Sequence, residues 1–122
     1  MKYRIPCFAA ALMIGVLAPL QAARAEYPEK PVRLIVPAAP GGAADNHARA
    51  LAIELHKRLG QPFVIENKPG ASGAIGMDVV AKAAPDGYTI GSNNLATFIV
   101  GTLTAKQLPY RIESDFTPIA SM

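Results

Sequence analysis

Tryptophan is absent from this chain of 122 residues, and its single cysteine, Cys7, lies close to the amino terminus. Beyond Cys7 there is no disulfide, no thiolate nucleophile and no cysteine metal site to be formed within the chain. Histidine is almost as scarce: His47 and His56 are the only two, nine positions apart. In one predicted helix that spacing points them to opposite sides, so neither supports the other as metal ligand or proton relay. The excess of basic over acidic residues, twelve against nine, is carried by the first 25 residues and so says nothing for a nucleic-acid partner. The one long apolar run, Ile5 to Leu20, falls short of the ~20 residues of a membrane span and contains Pro6 and Pro19.

That run reads instead as the core of a cleavable signal peptide. Lys2 and Arg4 supply the positive start, and Ala23-Arg24-Ala25 puts small residues where a signal peptidase reads, with the cut expected after Ala25. Cys7 follows Arg4-Ile5-Pro6 rather than a hydrophobic run, so it does not mark a lipoprotein. Cleavage removes Lys2, Arg4 and Arg24 but no acid, which leaves nine basic residues from twelve against nine acidic ones. The mature part is then neutral, and the basic pI of 9.2 belongs to the leader. An exported domain without a disulfide must rely on a packed core.

From Glu26 the pattern is strand, loop, helix, repeated. Tyr27 to Pro31 is an extended lead-in, because each proline biases its predecessor away from helix. Val32 to Val36 is a short β-branched strand. Ala38 to Ala43 forms a loop, and Ala44 to Leu59 a helix with Ala48, Leu51, Ala52, Leu55 and Leu59 on one face and Gly60 as its stop. The cycle recurs with Phe63 to Glu66 as strand, Asn67 to Ala71 as loop and Ser72 to Ala83 as helix. There Ser72 is the expected N-cap, and Ile75, Val79 and Ala83 the apolar line. Tyr88 to Ser92 makes a third strand, Asn93-Asn94 a turn, Leu95 to Leu103 an apolar run of short-helix character, Leu108 to Ser114 a loop, and Thr117 to Met122 the start of a fourth strand. Strands joined through helices demand right-handed crossovers, and so an α/β fold with an open, doubly wound, mainly parallel sheet covered on both faces. Ligands of such sheets bind beyond the carboxyl ends of the strands.

The loops there are rich in glycine yet match no phosphate motif. Gly70, Gly73 and Gly76 miss the dinucleotide fingerprint because position 71 is alanine, and no P-loop lysine follows any glycine run. A G-x-S-x-G nucleophile elbow at Ser72 fails at Ala74 and lacks a base. What these loops do allow is close approach of backbone N–H groups to an anion at two helix amino termini. The same glycines are equally suited to making tight βα turns and nothing more.

The series YPEKPVRLIVPAAPGGAAD (Tyr27 to Asp45), LGQPFVIENKPGASGAIG (Leu59 to Gly76), AKAAPDGYTI (Ala81 to Ile90) and LPYRIESDFTPIA (Leu108 to Ala120) closely resembles the tripartite tricarboxylate transporter substrate-binding receptors, the Bug-type family. The resemblance implies a type II periplasmic binding-protein fold of two α/β lobes that captures a small carboxylate for membrane permease subunits. It implies no cofactor, no metal and no catalytic residue. Carried over position by position, it places Ala39, Pro40, Gly41, Gly42, Ala43 and Asp45 of the first loop at the ligand. Gly70, Ala71, Ser72 and Gly73 of the second loop join them, with Asn93 and Asn94 of the third. Family members often carry a further glycine or a hydroxyl residue after the glycine pair, whereas Ala43-Ala44 offers neither. Chains of the family run to about 300 residues, as two ordinary domains require. On that comparison this chain is expected to be an incomplete first lobe, weak or inactive by itself. The rival reading is an exported α/β hydrolase using Ser72.

Overall fold

The computed structural model describes residues 26–94 and 108–121. The expected signal peptide at 1–25, the apolar run at 95–103 and Met122 lie outside them. Three parallel strands, β1 (Val32–Val36), β2 (Phe63–Asn67) and β3 (Thr89–Gly91), form a sheet in the order β2-β1-β3. Register runs Val32 opposite Phe63 through Val36 opposite Asn67, and Arg33 opposite Thr89. The central strand is buried on both faces except at Arg33, which explains why it reads as an almost continuous apolar run.

Helix α1 (Ala43–Leu59) covers one face. Ala48 and Ala52 pack on Val32, Leu34, Val36 and Phe63, with Leu55, Ile65 and Ile90 at the margin. Their small side chains bring the helix axis close to the sheet. The helix stops at Gly60, which adopts φ 73° and donates its N–H to the His56 carbonyl, and His56, Lys57 and Arg58 oppose the negative end of the dipole. Leu59, expected on the buried face, is 41% exposed, because the last turn runs past the core cluster.

The second helix departs from expectation. A 3-10 turn (Ala71–Gly73) leads into α2 (Ala74–Ala81), and Ser72 caps nothing: it sits inside the turn at φ 52°, ψ 36°. The residues buried on α2 are Gly76 and Met77, whereas Ile75 is 51% exposed. Counting apolar side chains at helical spacing missed this because the contact is centred on a glycine. A Cβ on Gly76 would lie 2.8 Å from Pro37 Cβ and 2.9 Å from the Lys68 carbonyl oxygen. Only the bare backbone lets α2 seat there.

On this second face the cover is partial among the described residues. Arg33 of β1 and Glu66 of β2 form a two-pronged pair at 2.7 and 3.0 Å, and Val64 beside them is 47% exposed.

At the opposite end of the sheet, aromatic contacts fasten the lead-in to β1. Tyr27 donates its hydroxyl to the Gly87 carbonyl at 2.6 Å, and Tyr88 accepts from Glu29 N–H at 3.0 Å. The rings meet edge-on at 5.3 Å, and Lys30 Nζ lies 4.3 Å above the Tyr88 ring. Tyr88, predicted within the third strand, therefore precedes it.

Two further expectations fail. Leu108 to Ser114 is not all loop, since a helical turn, α3 (Ile112–Asp115), forms with the Arg111 N–H held by Asp115 Oδ2 at 2.8 Å. Residues 117–121 are not strand: no described segment pairs with them, and a strand exists only through its ladder.

Candidate functional site

Because the three strands are parallel, the loops that follow them leave from one edge of the sheet. Lys68 N–H donates to the Val36 carbonyl at 2.8 Å and Ser92 N–H to the Ile35 carbonyl at 2.9 Å, so the second and third loops both depart beside the first. This common rim carries the glycines.

In the first loop Ala39, Pro40, Gly41, Gly42 and Ala43 are all exposed. Gly41 takes φ 81°, a conformation costly for any residue with a Cβ, and then Gly42 runs extended into α1. Gly42 supplies no side-chain cap, so among the described residues the N–H groups of Ala43, Ala44 and Asp45 in the first turn of α1 have neither an intrahelical partner nor a capping oxygen. They lie in the loop where the sequence suggested donors to an anion.

Asp45 occupies a different place from the one expected. It is 1% exposed and faces inward. Oδ2 accepts from the Gly41 N–H at 2.9 Å and from Arg49 Nε at 2.8 Å, while Oδ1 accepts from Asn67 Nδ2 at 2.9 Å. A carboxylate supplied with three internal donors is a brace for the loop, and its charge is answered from within. Arg49, then the Gly41 amide and then Asn67 hold its carboxyl far below the usual carboxylate range, against the opposing effect of burial. Asn67 also donates from Nδ2 to the Ala38 carbonyl at 3.1 Å.

The second loop is similar in kind. Gly70 (φ 123°), Ala71 (φ 45°) and Ser72 (φ 52°) are exposed and bend through positive φ, and Gly73 (φ 90°) is buried at the entrance to α2. Neither Gly70 before the 3-10 turn nor Gly73 before α2 makes a side-chain cap. The Gly73 N–H is spent on the Gly70 carbonyl at 2.9 Å, and that of Ala74 on Ala71. Of the expected contacts, Gly41 and Gly73 thus commit their amides internally. The third loop brings Asn93, half-buried, and Asn94, exposed, to the same rim.

Arg49 and Asn67 were not singled out in the sequence. The Asp45–Arg49 spacing of four in a helix was a usable signal for the first. Nothing local connects Asn67 to Asp45, which lie 22 positions apart.

The pH dependence follows from the carboxylates with lowered pKa: Asp45, Glu66 beside Arg33, and Asp115 beneath the Arg111 N–H. A depressed folded-state pKa adds stability that is present above the unfolded value, near 4, and is lost as pH falls through the folded one. Thermal unfolding followed by circular dichroism should show a midpoint that drops steadily below about pH 5, and Asp45→Asn should flatten that drop. A slope unchanged in the variant would show that Asp45 does not bear the charge described.

A family model for the tripartite tricarboxylate transporter family receptor matches residues 47–122. The chain belongs to this family. It is 43% identical over 107 residues to the protein BugT of Bordetella pertussis, an alignment that covers 87% of this chain and 32% of that one. Among solved structures, MatC from Rhodopseudomonas palustris with bound malate superposes with a TM-score of 0.69 at 44% identity, over 75% of this chain and 31% of that one. A protein described as a periplasmic transporter superposes with a TM-score of 0.64 at 47% identity, over 69% of this chain and 28% of that one. The chain spans about a third of the length of these relatives. Membership confirms the α/β sheet as part of a receptor fold, and the hydrolase reading gains no support. Ser72 has no hydrogen bond to either histidine among the described residues, both of which lie on α1. Among the described residues no helix is long and apolar enough to cross a membrane.

Proposed function

We propose that the rim formed by the first two loops is the first-lobe half of a site for a small di- or tricarboxylate, in a receptor that delivers its ligand to the permease subunits of the transporter. The observation that carries this reading is the uncapped amino terminus of α1, opened by Gly41-Gly42, whose first-turn carboxylate, Asp45, is already answered from within. Positive partial charges that no carboxylate among the described residues answers favour an anion from solution. The second loop, with its uncapped turn at Ala71 and Ser72, adds donors at the same edge. Malate bound to MatC supports the ligand class. The leader at residues 1–25 supports export, with the receptor working in the periplasm after cleavage.

Binding by this chain alone is expected to be weak. A second lobe closing over the ligand would exclude the water that otherwise competes for charged hydrogen bonds. Titration of the 15N-labelled chain with malate should move the amide signals of Gly42, Ala43, Ala71 and Ser72, with a Kd weaker than about 1 mM. Sodium chloride at matched ionic strength should not reproduce the pattern. No movement at those positions would sink the reading, and micromolar affinity would overturn the need for a second lobe. Ser72→Ala should leave ester turnover at the background of the buffer, as a receptor has none to lose.

A further inference from the structure

We propose that Asn67 is a positioning residue that clamps the first two loops of this site into one frame, with Asp45 as its counterpart. The inference rests on the carboxylate-site reading for its functional consequence, and on hydrogen-bond geometry for the clamp itself. Asn67 ends β2 opposite Val36, the end of β1, so its side chain leaves the sheet where both loops begin. Its Nδ2 carries two hydrogens, and each has an acceptor: the Ala38 carbonyl at 3.1 Å and Asp45 Oδ1 at 2.9 Å. Ala38 stands at the start of the first loop and Asp45 just past its end, in the first turn of α1. Asp45 in turn holds the middle of the loop through the Gly41 N–H at 2.9 Å. One amide on the second strand thereby fixes the start and the end of a loop on the first, and the middle through Asp45.

This arrangement also separates a spent amide from its neighbours. Gly41 is turned inward to a carboxylate that is itself anchored to β2, while the donors of Gly42, Ala43 and Ala44 have no partner among the described residues and are left for a ligand. Without Asn67, Asp45 keeps Arg49 and Gly41 as partners but loses its tie to the neighbouring strand, and Ala38 loses its only described side-chain donor. The first loop would then move independently of the second.

The clamp is tested on the whole chain by amide hydrogen exchange in two variants, Asn67→Asp and Asn67→Ala. The first keeps the shape but replaces both donors with acceptors set against Ala38 and Asp45, and the second removes the donors without adding charge. Gly41 should exchange about tenfold faster or more in each, the effect of losing one net hydrogen bond, while Leu34 and Ile35 in β1 keep their protection. Malate-induced shifts at Gly42 should require about tenfold more malate. Gly41 exchange within about twofold of wild type overturns the clamp. Faster Gly41 exchange with an unchanged malate response leaves the clamp but refutes its role in the site. Absence of any malate response in the wild type condemns the carboxylate reading instead, and the Gly41 measurement still decides the clamp. Should neither variant fold, the wild-type Asn67 side-chain amide decides: both of its protons should exchange slowly, and rapid exchange of either overturns the proposal.

Discussion

Replacing Leu34 with alanine is expected to leave most of the chain unfolded, or close to it, at room temperature. Leu34 is the middle residue of the central strand, 1% exposed, packed under α1 with Ile65 and Ile90 from the strands on either side. Truncating a buried leucine removes its transfer free energy and leaves a cavity, about 2 to 5 kcal/mol together. With few buried side chains among the described residues, the fold stands at the low end of the usual ~5 to 15 kcal/mol of stability, so the loss is most of what it has. Urea unfolding followed by circular dichroism would measure it, since no tryptophan is present to report. Ile53 is 57% exposed on α1 and provides the control, because its truncation should change stability by no more than about 0.5 kcal/mol. Equal midpoints for Leu34→Ala and Ile53→Ala would mean that the core is not where the structure puts it.

Gly76→Val is expected to have the next largest effect, by excess rather than by loss. Its Cβ alone would stand 2.8 Å from Pro37 Cβ, 2.9 Å from the Lys68 carbonyl oxygen and 3.0 Å from Pro37 Cα. Two of those atoms are backbone and the third belongs to a proline ring, so none can swing aside. Overpacking of this kind costs about 1 to 3 kcal/mol, and relief requires α2 to lift from the sheet. The site would feel it as well, because Pro37 directly follows β1 and Lys68 directly follows β2, where the two loops leave the sheet, and the wedge falls between them. Gly76→Ala should show a smaller loss of the same sign in urea unfolding. Gly70→Ala, whose Cβ would meet the flexible end of Ile75, does not share this mechanism and pays instead for its φ of 123°. A Gly76→Val protein as stable as wild type would show that α2 does not press on β1 as described.

The difference between Gly76 and Ile75 also marks how far the sequence can be read. Val32 to Val36, the Ala48 and Ala52 face, the Gly60 stop and the glycine-bearing loops are local in origin: each follows from the periodicity or φ preference of neighbouring residues. For that reason the parallel α/β architecture and the rim at the carboxyl ends of the strands were legible before any coordinates. The α2 face was not legible, because a glycine carries no hydrophobic signal and its value lies in the partner it approaches. Residues 117–121 were misread for a related reason, since an apolar run becomes a strand only when another strand accepts it. The site divides along the same line. That glycine-bearing loops at Gly41-Gly42 and Gly70 to Gly73 expose backbone was foreseeable, but which of their amides are already spent, and that Asp45 turns inward to Arg49, Gly41 and Asn67, depended on contacts between segments far apart in the chain. Local conformational preference determined the elements and their order, while the choice of buried face and of free donors belonged to the packing of those elements, which no neighbouring residue encodes.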